Sequence, residues 1–218
     1  MALEAGRPWR ARYVLSRLSS SWMSREALLA AVFMLLCILQ WQWPHSALQA
    51  LCAACAAGFM VAQGFLLYAS RAVPAWNSAV LPLLMVVSSF YAGSGLNLIN
   101  HSVAGGVHTM LPLAAFVAGI VDWCFWRIYR RSVGWFQTRD VDRFPPQKRL
   151  AGSETILGYL LPLGLIGLCM LAAGFTEAVF LYSFLAAAAG VGIFLSSALC
   201  KYRILSEMGN QRGIGIHC

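Results

Sequence analysis

Two segments of this chain gather residues that can bind and protonate a small polar ring. Glu4, Arg7, Trp22 and Arg25 lie in the first, and Arg71, Trp76 and Asn77 in the second, each at the edge of a long apolar run. They supply guanidinium and amide donors, indole faces for stacking, and a carboxylate that can take or give a proton. That set suits an amphipathic ring with two carbonyl oxygens, a quinone, whose head needs donors and a proton path while its tail needs lipid. A plainer reading uses the same residues for architecture. Ser24 caps the helix that Arg25 and Glu26 begin, Pro74 fixes the entry to another helix, Asn77 or Ser78 caps it, and Trp22 and Trp76 anchor at headgroup depth. Asp122 lies inside an apolar run about one turn from Arg127. A carboxylate there is by default a proton-transfer candidate, or else half of a snorkelled pair with Arg127.

The elements that position these residues are membrane helices. Of 218 residues, 60% are hydrophobic and 11% charged, with a mean hydropathy of +0.68. A water-facing surface needs far more charge than this. Six stretches, near 27–43, 47–69, 79–98, 107–126, 156–173 and 178–200, approach the ~20 apolar residues that cross a hydrocarbon core of about 30 Å. Lipid offers nothing for exposed backbone to bond, and alternating strands are absent from the pattern, so the expected fold is an all-α polytopic bundle forming one transmembrane domain over 1–218. The first 26 residues are polar and Arg-rich rather than a cleavable leader, so the first span is expected to stay.

Charge sets the expected orientation. All 16 Lys and Arg fall on one side of a six-span arrangement, which the positive-inside bias makes cytoplasmic, with both termini inside and the chain in the inner membrane. The net charge of +8 lies against the bilayer, where anionic lipid is the expected partner, and nucleic acid is not. The long connection at 127–155 holds this topology. Trp135 and Phe136, with Arg139 and Arg143, also give it the composition of a surface that docks a soluble partner.

Cysteine and histidine point away from metal. "CAAC" at 52–55 has CxxC spacing but sits in an apolar helix without a second pair, so it reads as packing, as do the small residues of 47–58 and 185–192. His45, His101 and His108 fall in or beside outer connections rather than facing one another across the bilayer. No haem or metal is expected in this chain.

The blocks "GRPWRA" and "SSSWMSREALL" (6–29), followed by "ASRAVPAWNSAVLPLLMVVSSFYAGSGL" (69–96), resemble the membrane anchor subunit family of dimethyl sulfoxide reductase, related to the membrane subunits of polysulfide and nitrite reductases. The last three spans match that family in hydropathy alone. The family has two helices before the "GRP" block, which this chain lacks, and often a histidine where Glu4 stands. The resemblance implies a haem-free subunit that reacts with menaquinone or ubiquinone. It further implies partners: a ferredoxin-like iron–sulfur subunit and a molybdopterin catalytic subunit. Glu4, Arg7, Trp22, Arg25, Arg71, Trp76 and Asn77 would then line the quinone site, and Asp122 or Glu4 would relay protons. Two other functions compete: a small-solute transporter, for which internal repeats and broken helices would speak, and a purely structural anchor.

Overall fold

The structure is a computed structural model that describes residues 21–70, 73, 76–104, 110–137, 156–172 and 179–206. It is an all-α polytopic membrane bundle. The helices are α1 (Trp22–Gln42), α2 (Ser46–Ala69), α3 (Leu81–Ala104), α4 (Met110–Gln137), α5 (Leu161–Ala172) and α6 (Val179–Ser206), with a π-helical segment, Ile156–Leu160, running directly into α5. Among the described residues, five helices are long and apolar enough to cross a membrane. The expected span at 156–173 is the shorter one, made of the π segment and α5 together. The outward faces carry Met34, Leu35 and Ile38 on α1, Phe90 on α3 and Phe184 and Leu199 on α6, all exposed. Lipid, not water, is the solvent that makes such a surface stable.

Proline marks three helix starts. Pro82, Pro112 and Pro162 each sit within the first turn of their α-helix, where a missing N–H is tolerated because it would have no intrahelical partner. Pro162 differs from the others because helical backbone also precedes it. Its ring crowds the carbonyl four residues back, at Gly158, and the wider π turn over Ile156–Leu160 accommodates that crowding.

The most extensive pairing joins α3 to α6, although they are far apart in sequence. Glycine permits it. A Cβ on Gly190 would lie 2.5 Å from the Gly95 carbonyl oxygen, and one on Gly95 would lie 2.9 Å from the Gly190 carbonyl oxygen. Small residues let backbones touch in lipid, where no hydrophobic drive pushes helices together. The small-residue run at 185–192 therefore does what its composition suggests, with Ala186 and Ala189 buried beside Gly190. The run at 47–58 is different: it is mostly exposed or half-buried, and Gly58 meets only the Leu29 side chain of α1.

α1 buries a single side chain, Ser24, whereas α3 buries eight residues. The α1–α2 hairpin is thus peripheral to a core formed by α3, α4, α5 and α6. It joins that core where Gly64 lies against the Pro82 backbone, at 2.8 Å from a would-be Cβ.

Candidate functional site

The basic end of the bundle is tied together by two hydrogen bonds. Trp76 donates its indole N–H to the Ile204 carbonyl at 2.8 Å, and the Ser78 and Ser132 hydroxyls pair at 3.0 Å. These bonds set the start of α3 level with Ser132 of α4 and Ile204 of α6. Depth can be counted from that level at about 1.5 Å per residue. Asp122 lies ten residues before Ser132, about 15 Å along α4 from that level.

Asp122 is 2% exposed. Its Oδ2 accepts a 2.9 Å hydrogen bond from the Tyr159 hydroxyl, so it reaches across to the π segment rather than along its own helix. The expected partner, Arg127, instead lays its guanidinium over the Trp123 ring, 4.9 Å from the centroid. The snorkelled Asp122–Arg127 pair does not form.

A buried polar cluster surrounds this bond. The Tyr159 ring stacks on Tyr91 of α3, with centroids 6.2 Å apart and planes 8° from parallel. Gly119 of α4 makes room for that stack, since a Cβ there would stand 2.8 Å from the Tyr91 ring. The Cys200 thiol of α6 lies within hydrogen-bonding reach of the Tyr159 hydroxyl. One residue on, Lys201 donates to the Ser89 hydroxyl at 2.9 Å, and Ser89 in turn donates to the Met85 carbonyl. Lys201 and Asp122 are close enough to interact electrostatically.

Asp122 Oδ1 and Tyr91 Oη have no hydrogen-bond partner among the described residues, nor do the buried Ser88 and Ser197 hydroxyls about one turn along α3 and α6 from Tyr91 and Cys200. Buried polar atoms are almost always paired, so a group of them in one part of a bundle marks a place for water, a proton path or a polar ligand. A π turn carrying one of the cluster's central residues fits the same pattern, because such turns recur at functional positions.

Of the residues singled out from sequence, Asp122 falls at the centre of this cluster. Trp22 and Arg25 come together elsewhere: the indole stacks on Phe65 of α2 at 4.7 Å, and the Arg25 guanidinium sits over the indole at 4.5 Å. Trp76 turns to α6, and Asn77 is exposed. The helix caps differ from expectation. Ser21, not Ser24, caps α1, because the helix begins at Trp22 and the Ser21 hydroxyl accepts from the Ser24 N–H. Ser78 gives its carbonyl to the Leu81 N–H while its hydroxyl goes to Ser132. Glu4, Arg7, Arg71, Arg139 and Arg143 lie outside the described residues, as do the side chains of Trp135 and Phe136. Among the described residues, no group of three or more His, Cys, Asp or Glu side chains could hold a metal ion.

Sequence reading missed Tyr91, Tyr159, Cys200 and Lys201. Their signal is present as polar interruptions in apolar runs, "SSFY" at 88–91 and "SSALCK" at 196–201. Each interruption alone is ordinary, and only the fold brings them to Asp122. Fold and site together define a polytopic helical membrane protein with an ionisable cluster inside the bilayer. Compared with protein-family models, curated proteins and solved structures, the chain finds no match.

Proposed function

We propose that this chain is the quinone-reactive membrane subunit of a multi-subunit oxidoreductase in the inner membrane, working with an iron–sulfur subunit and a molybdopterin catalytic subunit. The observation that carries the proposal is the Asp122–Tyr159 bond with the unpaired Tyr91 hydroxyl in the same cluster, a proton-handling group below the basic end of the bundle. The resemblance of the segments at 6–29 and 69–96 supplies the redox class.

Oxidation of a quinol releases two electrons and two protons. In this reading the head group binds at the basic edge, near Arg25, Arg71, Trp76 and Asn77. The electrons leave to the iron–sulfur partner, and the protons pass to a carboxyl group, Asp122 or Glu4. Reduction of a quinone runs the same steps backwards. Asp122 has the geometry of a relay rather than of a ring-binding wall, since its bonded neighbour is a phenol and it is buried about 15 Å along α4 from the basic end.

A second reading, proton-coupled transport of a small solute, gains from one observation. The π segment Ile156–Leu160 departs from regular α-helix beside a buried acidic residue, and transporters place their sites at irregular helix near acidic groups. One experiment separates the two. Isolation in mild detergent should recover the chain with iron–sulfur and molybdopterin subunits, and the complex should oxidise a quinol. A chain that purifies alone, fails to bind quinol and drives proton-coupled uptake in proteoliposomes would replace the first reading with the second.

A further inference from the structure

One face of α4 is not used by the Asp122 cluster. Trp123, Trp126, Arg127, Arg130 and Arg131 line an open cleft of about 450 Å³. The spacing of these residues places them along one side of the helix over about two turns. Three arginines converge there from nine residues of sequence. Like charges this close repel one another, so a surface that gathers them is completed by an anion.

The depth of the cleft says what kind of anion. Ser132 is level with the start of α3 through its bond to Ser78, so Arg130 and Arg131 stand at the membrane edge. Arg127 is about one turn deeper, and Trp123 about 12 Å below Arg131. The wall therefore grades from guanidinium at the headgroup level to indole at the level of the upper acyl chains. Arg127 is already braced in this gradient, its guanidinium flat over the Trp123 ring. Trp126 is 5% exposed and packs on Tyr129, which makes the floor of the cleft rigid. A free inorganic anion would have no use for the indole half, whereas a phospholipid has both a phosphate and a chain.

We infer that this face of α4 binds one anionic phospholipid of the leaflet at the bundle's basic end, its phosphate held by Arg127, Arg130 and Arg131 and its acyl chain lying against Trp123. Planar guanidinium groups suit phosphate oxygens, which two N–H donors can engage together. The site is separate from the proposed quinone chemistry and does not rest on it.

The test uses the full-length protein, with any subunits that purify with it, in nanodiscs of zwitterionic lipid doped with phosphatidylglycerol. Native mass spectrometry should find a phosphatidylglycerol molecule that survives delipidation. The triple variant R127Q/R130Q/R131Q should weaken that retention by roughly 100-fold. The equally neutralising variant R10Q/R12Q/R17Q should leave it unchanged, and equal loss in both variants would show bulk charge attraction and overturn the inference. A photoactivatable phosphatidylglycerol on the unaltered protein gives a readout that needs no variant to fold. Crosslinks should concentrate between Trp123 and Arg131, and crosslinks spread evenly over the bundle or concentrated elsewhere would overturn the assignment.

Discussion

Lys201, about one turn from the basic end of α6, turns its ammonium inward to the Ser89 hydroxyl, 2.9 Å away. Side chains on a helix lean toward its N-terminus, and the N-terminus of α6 is at the far side of the bilayer. Lys201 therefore points to the interior, where Asp122 is within electrostatic range. The two groups should behave as a coupled pair. Replacing either alone, by K201M or D122N, should lower the thermal midpoint in detergent, because each leaves the other's charge less compensated. The double variant should recover part of the loss, with a coupling energy of about 0.5–3 kcal/mol in a double-mutant cycle. Strict additivity would show that the pair does not interact.

Tyr159→Phe removes the phenol that donates to Asp122 and leaves both carboxylate oxygens without a hydrogen-bond partner among the described residues. A buried acceptor stranded in this way costs about 1–3 kcal/mol, while the ring stack on Tyr91 survives. The variant should be less stable by that amount and should slow any turnover that takes protons through Asp122. Unchanged stability would mean that another donor replaces the phenol.

Gly190→Ala tests the closest helix crossing. The new Cβ would meet the Gly95 carbonyl oxygen at 2.5 Å, a backbone atom that cannot swing aside, so α3 and α6 must separate. A loss of about 1–3 kcal/mol is expected. Gly93→Ala is the matched control, since nothing lies within 4 Å of its Cβ position. The two should differ clearly in thermal unfolding, and equal midpoints would mean that the crossing is looser than 2.5 Å implies.

Arg71→Ala and Asn77→Ala test the edge site. If these residues hold a quinone head, losing one hydrogen bond to a charged donor costs about 1.5–3 kcal/mol, roughly 10- to 150-fold in affinity. Quinol-dependent turnover should then fall while turnover with an artificial soluble electron donor persists in the assembled complex. If both activities stay normal, the two residues serve only as caps and interface anchors.

The placement of the 16 basic residues underlies the proposed orientation, with the basic end cytoplasmic. A reporter fused after Cys218 should be active only on the cytoplasmic side. Activity on the other side would invert the bundle and move the proposed docking face away from the catalytic partners.

The helices were legible because lipid enforces a simple rule: long apolar runs become helices, and the expected 47–69 and 156–173 match α2 and the π segment with α5 to within about one residue at each end, while α6 runs on past 200 to Ser206. α4 runs further than its apolar stretch, out to Gln137, because helix continues through "RIYRRSVGWFQ" after the hydrophobic signal has ended. Asp122 could be read as a candidate from its type alone. Its partner could not, because Tyr159 reaches it through a π turn whose sequence trace is a single proline, Pro162. Lys201 was hidden for another reason. A basic residue at the end of a span usually serves topology, and sequence says nothing about which way its side chain turns.

The pairing of α3 with α6 also has a consequence for how the chain is made. α3 leaves the ribosome long before α6, so the face around Gly95 has no protein partner while the intervening helices are being inserted. Gly95 must then wait beside acyl chains until Gly190 arrives, and Ser89 must wait for Lys201. A nascent chain halted before α6 would hold the glycine face of α3 open to lipid, and membrane proteases and chaperones act on such unfinished surfaces. Completion of the last helix thus closes the α3 face that the earlier helices leave uncovered.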